Sequence, residues 1–174
     1  LEFRRVLFRS GINNRFEYMR YMADWNTVNK NIIKAADWFK NSDNSIFTLC
    51  YTVSPLNIWY IDEIVKYGDN VGVEVYLNLV HYPTHYNIQN LPEKVKDQIE
   101  EHLRNSIDKE HPIWNSINNI LIFMKQKKCD IENWKQFLLT TKIHDTYRKQ
   151  KYSEIFPEFY EVIKDYCENI LRND

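Results

Sequence analysis

Two histidines stand four residues apart in His81-Tyr-Pro-Thr-His85, the spacing at which a helix face lets two imidazoles hold one metal. Pro83 lies between them and breaks that helix, and no acidic third ligand is near, so the pair reads as a loop feature. The carboxylate pairs Asp62-Glu63 and Glu100-Glu101 fall on solvated helix faces by the register of their neighbours and are expected to be surface charge. Cys50 sits within a strand-like run without an evident base, which predicts a buried small residue rather than a nucleophile. Five Trp and twelve Tyr are enough to suggest platforms for stacking bases. However, Trp38, Trp59, Trp114 and Trp134 fall on or beside helical apolar stripes, so core packing is the expectation. With no phosphate-binding GxxxxGK[ST] or GxGxxG loop and no GxSxG, residue chemistry alone assigns neither a catalytic group nor a metal site.

The elements that would carry these residues are legible from periodicity. After Asp24, the positions Val28, Ile32, Ala35, Ala36 and Phe39 recur at helical spacing, and Asn41 to Ser45 form a turn-rich stop. Residues 46–54 are β-branched and aromatic up to Pro55, which predicts a strand. Leu56 to Tyr67 reads as a helix with Ile58, Ile61, Ile64 and Val65 inward, closing near Gly68, and Val71 to Tyr82 as a second strand. A strand, a short crossover helix and a strand make a parallel βαβ unit.

Beyond Leu91 four helices are expected. The first, begun by Pro92, carries Val95, Ile99 and Leu103; the second Ile113, Ile117, Ile120, Leu121 and Met124. The third, capped by Asp130, carries Ile131, Trp134, Phe137 and Leu138, and the last Phe159, Ile163, Tyr166 and Ile170. The organisation is α/β over residues 11–90 and all-helical over 91–174.

The two strands have unlike faces. Phe47, Leu49, Tyr51 and Val53 oppose Thr48, Cys50, Thr52 and Ser54, while Val73, Val75, Leu77 and Leu79 oppose Glu74, Tyr76 and Asn78. A greasy face with a mixed one fits the wall of a barrel or half-barrel, and it equally fits an ordinary sheet with one solvated face.

Composition sets the outer limits. The chain has 174 residues, 44% hydrophobic, with 23 basic and 24 acidic side chains, enough for one globular core and without the basic excess of a non-specific nucleic-acid binder. The longest apolar run, Ile120 to Met124, is far short of a membrane span. Three scattered cysteines, Cys50, Cys129 and Cys167, make neither a disulfide framework nor a metal knuckle and point to a reducing cytoplasm. Asn and Ile at 19 each, Lys at 15 and only 3 Gly suggest an AT-rich genome. Residues 1–10, LEFRRVLFRS, hold three Arg against five in the remaining 164 positions and look like a translated cloning or sequencing adapter, outside fold reasoning. On that reading the natural sequence begins mid-element at Gly11, as the tail of something longer.

Four segments carry a resemblance: 17–25 with Val28, Asn31 and Ile32; Thr52-Val-Ser-Pro-Leu-Asn-Ile58; Asn78-Leu-Val-His-Tyr-Pro83 with Leu91-Pro92; and His144-Asp-Thr-Tyr-Arg148 with Ile155-Phe-Pro-Glu-Phe159. Over nearly all of residues 11–174 the chain resembles the later part of twitch-domain-containing radical S-adenosylmethionine proteins, found in phage and bacterial genomes. The resemblance implies the carboxyl-terminal part of a partial (β/α)6 barrel followed by an all-helical tail. In that family a CxxxCxxC loop holds a [4Fe-4S] cluster, whose unique iron binds S-adenosylmethionine for reductive cleavage to a 5'-deoxyadenosyl radical acting on a substrate.

This chain has no CxxxCxxC. The cluster and cofactor are therefore expected in a full-length parent, with none bound by this chain alone, no auxiliary cluster on Cys129 or Cys167, and no activity alone. The resemblance places Arg20 at the methionine carboxylate or the substrate, its structural alternative being a surface ion pair. It places Thr52, Ser54 and Asn78 at strand carboxyl ends facing adenosine, where their alternative is backbone capping. Asn57 and His81 are weaker candidates. The expected partners are a substrate, the missing half of the barrel and, through a strand at 46–54 deprived of its neighbour, a second copy. A non-catalytic α/β-plus-helical interaction module is the competing reading.

Overall fold

A computed structural model describes residues 3–40 and 45–171, with side chains described for 10–40 and 46–168. Leu1, Glu2, the expected turn at 41–44 and the side chain of Ile170 lie outside the described residues.

The sheet has three parallel strands in the order β1-β2-β3: β1 (Phe3–Arg9), β2 (Ser45–Val53) and β3 (Glu74–Leu79). Phe3 pairs with Ser45 and Arg9 with Tyr51; Thr48 pairs with Glu74 and Val53 with Leu79. The expected βαβ unit is present. Among the described residues the three strands form an open sheet. The adapter-like segment lies in the sheet as β1, so β2 is central, and the strand at 46–54 presents no bare edge to a second copy, contrary to expectation.

Between β2 and β3 the chain makes a 3-10 turn (Ile58–Tyr60) and then α3 (Ile61–Val71), which starts later than expected and ends four residues beyond Tyr67. The helix ends at Gly72, whose φ of 68° is left-handed, instead of at Gly68. Gly68 has a different reason to lack a side chain. A Cβ there would sit 2.6 Å from Val75 Cγ2 and 2.7 Å from the Val73 carbonyl oxygen, so α3 lies directly on β3. The Val73 amide turns back to the Gly68 carbonyl at 2.9 Å, which is why β3 starts at Glu74 rather than Val71.

α1 (Asn13–Met19) and α2 (Trp25–Lys40) precede β2. Asp24 accepts the Thr27 amide at 2.8 Å, and Ile32, Ala36 and Phe39 bury against Phe47, Leu49 and Val73. Past β3, α4 (Glu93–Ser106), α5 (Trp114–Lys125), α6 (Ile131–Arg148) and α8 (Pro157–Leu171) are the four expected helices, with a one-turn α7 (Tyr152–Ile155) added. Pro92 stands just outside α4, and Asp130 caps α6 through the Asn133 amide at 3.1 Å. One buried cluster runs from Tyr51, Ile61 and Leu77 through Ile99 and Ile117 to Trp134, Phe156 and Phe159, so the α/β part and the helical part share a core.

Some side chains depart from expectation. Trp134 is buried, but Trp59 and Trp114 are half-buried and Trp38 is 64% exposed, because it falls one position before Phe39 on the outer side of α2. Ile131 is exposed at the start of α6, ahead of the first inward position, Trp134. Asp62 is buried rather than solvated, held by Lys66 at 2.9 Å and facing His102 at 3.7 Å. Glu63 pairs with Arg15, and Glu100 with Arg104 and Lys125; Glu101 remains exposed. Among the described residues no helix is long and apolar enough to cross a membrane.

Candidate functional site

Parallel strands gather their carboxyl ends on one side, where ligands of α/β sheets bind. There a cleft of about 250 Å³ opens above the sheet. Thr52 and Ser54 reach it from the end of β2, Val80 from the end of β3, Ser10 from the end of β1 and Tyr18 and Met19 from α1. The outer wall is Tyr86 together with His144 and Arg148, one turn apart near the end of α6.

The strand ends are held by Asn57. Its amide nitrogen donates to the Ser10 carbonyl at 2.8 Å and the Thr52 carbonyl at 2.9 Å, while its oxygen accepts the Ser54 amide at 2.8 Å and the Ser54 hydroxyl at 3.4 Å. With 1% exposure, Asn57 is a brace between strand ends and offers no hydrogen bond to a ligand. Ser54 is 4% exposed and its hydroxyl is tied to Asn57, so the capping alternative describes it well. Thr52 is half-buried on the cleft wall.

Asp145 organises the opposite wall. Its carboxylate accepts the Tyr18 hydroxyl at 2.8 Å and the Tyr152 amide at 2.8 Å. Burial, reinforced by that carboxylate, pushes the Tyr18 phenol far above its usual range. Arg148 donates from Nη1 to the Tyr18 carbonyl at 2.8 Å and lies 5.2 Å from the centre of the Tyr21 ring. Burial and the neighbouring Arg148 charge lower the His144 pKa, so its imidazole is neutral at pH 7. Among the described residues neither the His144 ring nor the Tyr86 hydroxyl has a hydrogen-bond partner, which leaves both for a ligand. The cleft thus combines one guanidinium, one neutral imidazole and hydroxyls with the apolar Met19, Leu56 and Val80. It holds no activated nucleophile and suits binding of a partly apolar small molecule with an acidic group.

Two of the four residues expected at this site are there, Thr52 and Ser54. Arg20 is exposed just after α1, closes that helix through its amide to the Phe16 carbonyl at 2.8 Å, and makes no ion pair among the described residues. Asn78 projects to the solvated side of β3 and lines a separate groove with His81, whose ring packs edge-on to Phe123. Tyr18, Tyr86, His144 and Arg148 were not singled out. The signal was available for two of them, since His144 and Arg148 bound one of the segments carrying the resemblance and stand i,i+4.

Among the described residues no three His, Cys, Asp or Glu side chains come together as a metal-binding group. Cys50, Cys129 and Cys167 are free thiols, and burial raises all three, Cys129 and Cys167 to about 11. Cys50 lies in β2, Cys129 just before α6 and Cys167 in α8, so among the described residues the three thiols do not come together as a set of cluster ligands. No family model, no curated protein and no solved structure matches this chain.

Proposed function

We propose that residues 11–174 are the later strands and helical tail of a radical S-adenosylmethionine enzyme of the cytoplasm. The parent would cleave S-adenosylmethionine reductively at a [4Fe-4S] cluster held elsewhere, to start radical chemistry on a substrate, and this chain would be inactive by itself. The observation that carries the reading is the polar cleft over the carboxyl ends of a parallel sheet, with Thr52 and Ser54 on one wall and His144 and Arg148, one helical turn apart, on the other.

Within that reading the chain's own residues bind and orient. The free edge of the Arg148 guanidinium would pair with a carboxylate, the Tyr86 hydroxyl and His144 ring would hydrogen-bond polar groups, and Met19, Leu56 and Val80 would cover an apolar portion. Arg20 and Asn78 do not line this cleft, so any part they play at the cofactor would lie outside it.

Sequencing the source DNA upstream of the Gly11 codon tests the proposal. An in-frame CxxxCxxC supports it; a natural start codon beside Gly11 overturns it. The competing reading, a non-catalytic interaction module, draws on the absence of an activated nucleophile or metal group among the described residues.

A further inference from the structure

Among the described residues β3 has a hydrogen-bonded neighbour on one side only, β2. Along its other side run two adjoining clefts of about 520 Å³ and about 310 Å³. They share Tyr76 and Ser116, and between them they follow β3 and its approach from Val73 to Leu79. Consecutive residues from both faces line them, which places the groove beside the backbone rather than over one face of the sheet. No hydrogen bond from any other described element reaches the backbone of residues 74–79 on this side. The far wall is the turn at 111–113 with Ser116 and Asn119 of α5.

The charge of this groove is one-sided. Asp69 and Glu74 line its first half, beside the apolar Val73, Val75 and Ile113, and no Lys or Arg lines either half. The bases that line it are two histidines, His111, whose Nε2 lies 3.3 Å from Asp69, in the first half and His81 in the second. Glu74 is exposed and has no ion pair among the described residues. An edge strand is normally guarded against pairing by its shortness and by charge. Here the guard is a carboxylate, which repels acidic segments and favours cationic ones.

We infer that the groove beside β3 takes an extended basic peptide, which adds to the sheet as a fourth, outer strand. The six residues of β3 set the paired length at about 20 Å. Backbone amides of the peptide pair with the free edge, alternate apolar side chains lie against Val73, Val75 and Ile113, and its cationic groups meet Asp69 and Glu74. This goes beyond the radical-enzyme reading and does not depend on it, because the groove and the carboxyl-end cleft are separate openings with no lining residue in common.

Fluorescence anisotropy at low salt tests it with three labelled hexapeptides: one alternating lysine and valine, its glutamate counterpart, and the lysine peptide with alternate amides N-methylated. The lysine peptide is expected to bind at least about tenfold more tightly than either of the others. The double variant Asp69→Asn, Glu74→Gln is expected to weaken the lysine peptide about fivefold or more while leaving the urea midpoint unchanged. Hydrogen exchange is expected to show added protection of residues 74–79 only when that peptide is present. Equal binding of the lysine and glutamate peptides, or full binding of the N-methylated one, overturns the inference. Protection of residues 74–79 that rises with protein concentration in the absence of peptide also overturns it, by assigning the edge to a second copy.

Discussion

Asn57 ties the ends of β1 and β2 together through the Ser10 and Thr52 carbonyls and the Ser54 amide. Replacing it with alanine leaves the Ser54 amide, itself buried, without its 2.8 Å acceptor, and removes the donor shared by the Ser10 and Thr52 carbonyls. One buried amide left unpaired costs about 1–3 kcal/mol, and two carbonyls losing a partner add a smaller amount, so Asn57→Ala is expected to lower stability by about 3 kcal/mol. With a urea m-value of about 2 kcal/mol/M the midpoint falls by about 1.5 M.

Asn57→Asp separates the brace from simple loss of packing. The aspartate keeps the acceptor for Ser54 but turns a carboxylate oxygen toward the Ser10 and Thr52 carbonyls in a site with 1% exposure. Burial and those carbonyls raise the folded pKa of the introduced acid above its unfolded value. Its favourable contribution is then present below the unfolded pKa and lost as pH rises through the folded one. The Asp variant is expected to be the less stable of the two at pH 7 and to gain on the Ala variant as pH falls toward 5. Urea unfolding followed by far-ultraviolet circular dichroism, at both pH values, reads both effects. An Ala variant within about 0.5 kcal/mol of the parent chain, or an Asp variant equal to Ala at both pH values, refutes the brace.

Gly68→Ala forces a methyl to within 2.6 Å of Val75 and is expected to cost about 1–3 kcal/mol, against about 1 kcal/mol for Gly72→Ala, where φ is 68° but nothing lies within 4 Å; differential scanning calorimetry ranks the two. His144 and His85 both have pKa values depressed by burial, so the neutral rings stabilise the fold above about pH 6.5 and that contribution is lost as pH falls through their folded values. The urea midpoint is therefore expected to drop between pH 7.5 and 5.5, and to drop less in His144→Gln; an identical drop in the variant removes His144 from the account. Because burial raises Cys50, Cys129 and Cys167, alkylation by iodoacetamide at pH 7.5 is expected to be much slower in the folded chain than in 6 M urea, which mass spectrometry of the labelled peptides measures directly.

The sequence was most legible where side-chain period equals burial period. Val95, Ile99 and Leu103 on α4, and Ile117, Ile120, Leu121 and Met124 on α5, are buried as their spacing predicts, since a helix stripe against a core leaves little choice. The parallel βαβ unit was legible for the same reason. The end of α3 was not, because two glycines four residues apart compete as stop signals, and the reason for Gly68 is the distance to Val75, a contact across space. Asp62 was misplaced because its burial depends on α4 bringing His102 against it, which no local pattern records. At the site, Thr52 and Ser54 came only as what the resemblance implies, whereas Tyr18 and Arg148 meet through a contact 130 residues apart in the chain, which no local pattern records.

That long contact bears on what the helical region is for. The phenol of Tyr60, just before α3, donates to Glu158 at 2.9 Å and accepts the Phe159 amide at 3.3 Å, while Arg15 of α1 reaches the Ile155 carbonyl at 3.2 Å. Phe156 stacks with Tyr152 and meets Tyr18 edge-on, both in the core shared with Ile61 and Leu77. A tail joined this way is a wall of the carboxyl-end cleft, because it supplies the only guanidinium there and fixes it through Asp145, Tyr18 and the start of α7. A ligand held in that cleft would therefore be coupled to the docking of α6 through α8 on the sheet, and a bound carboxylate is expected to add stability to the helical region as well as to the strand ends.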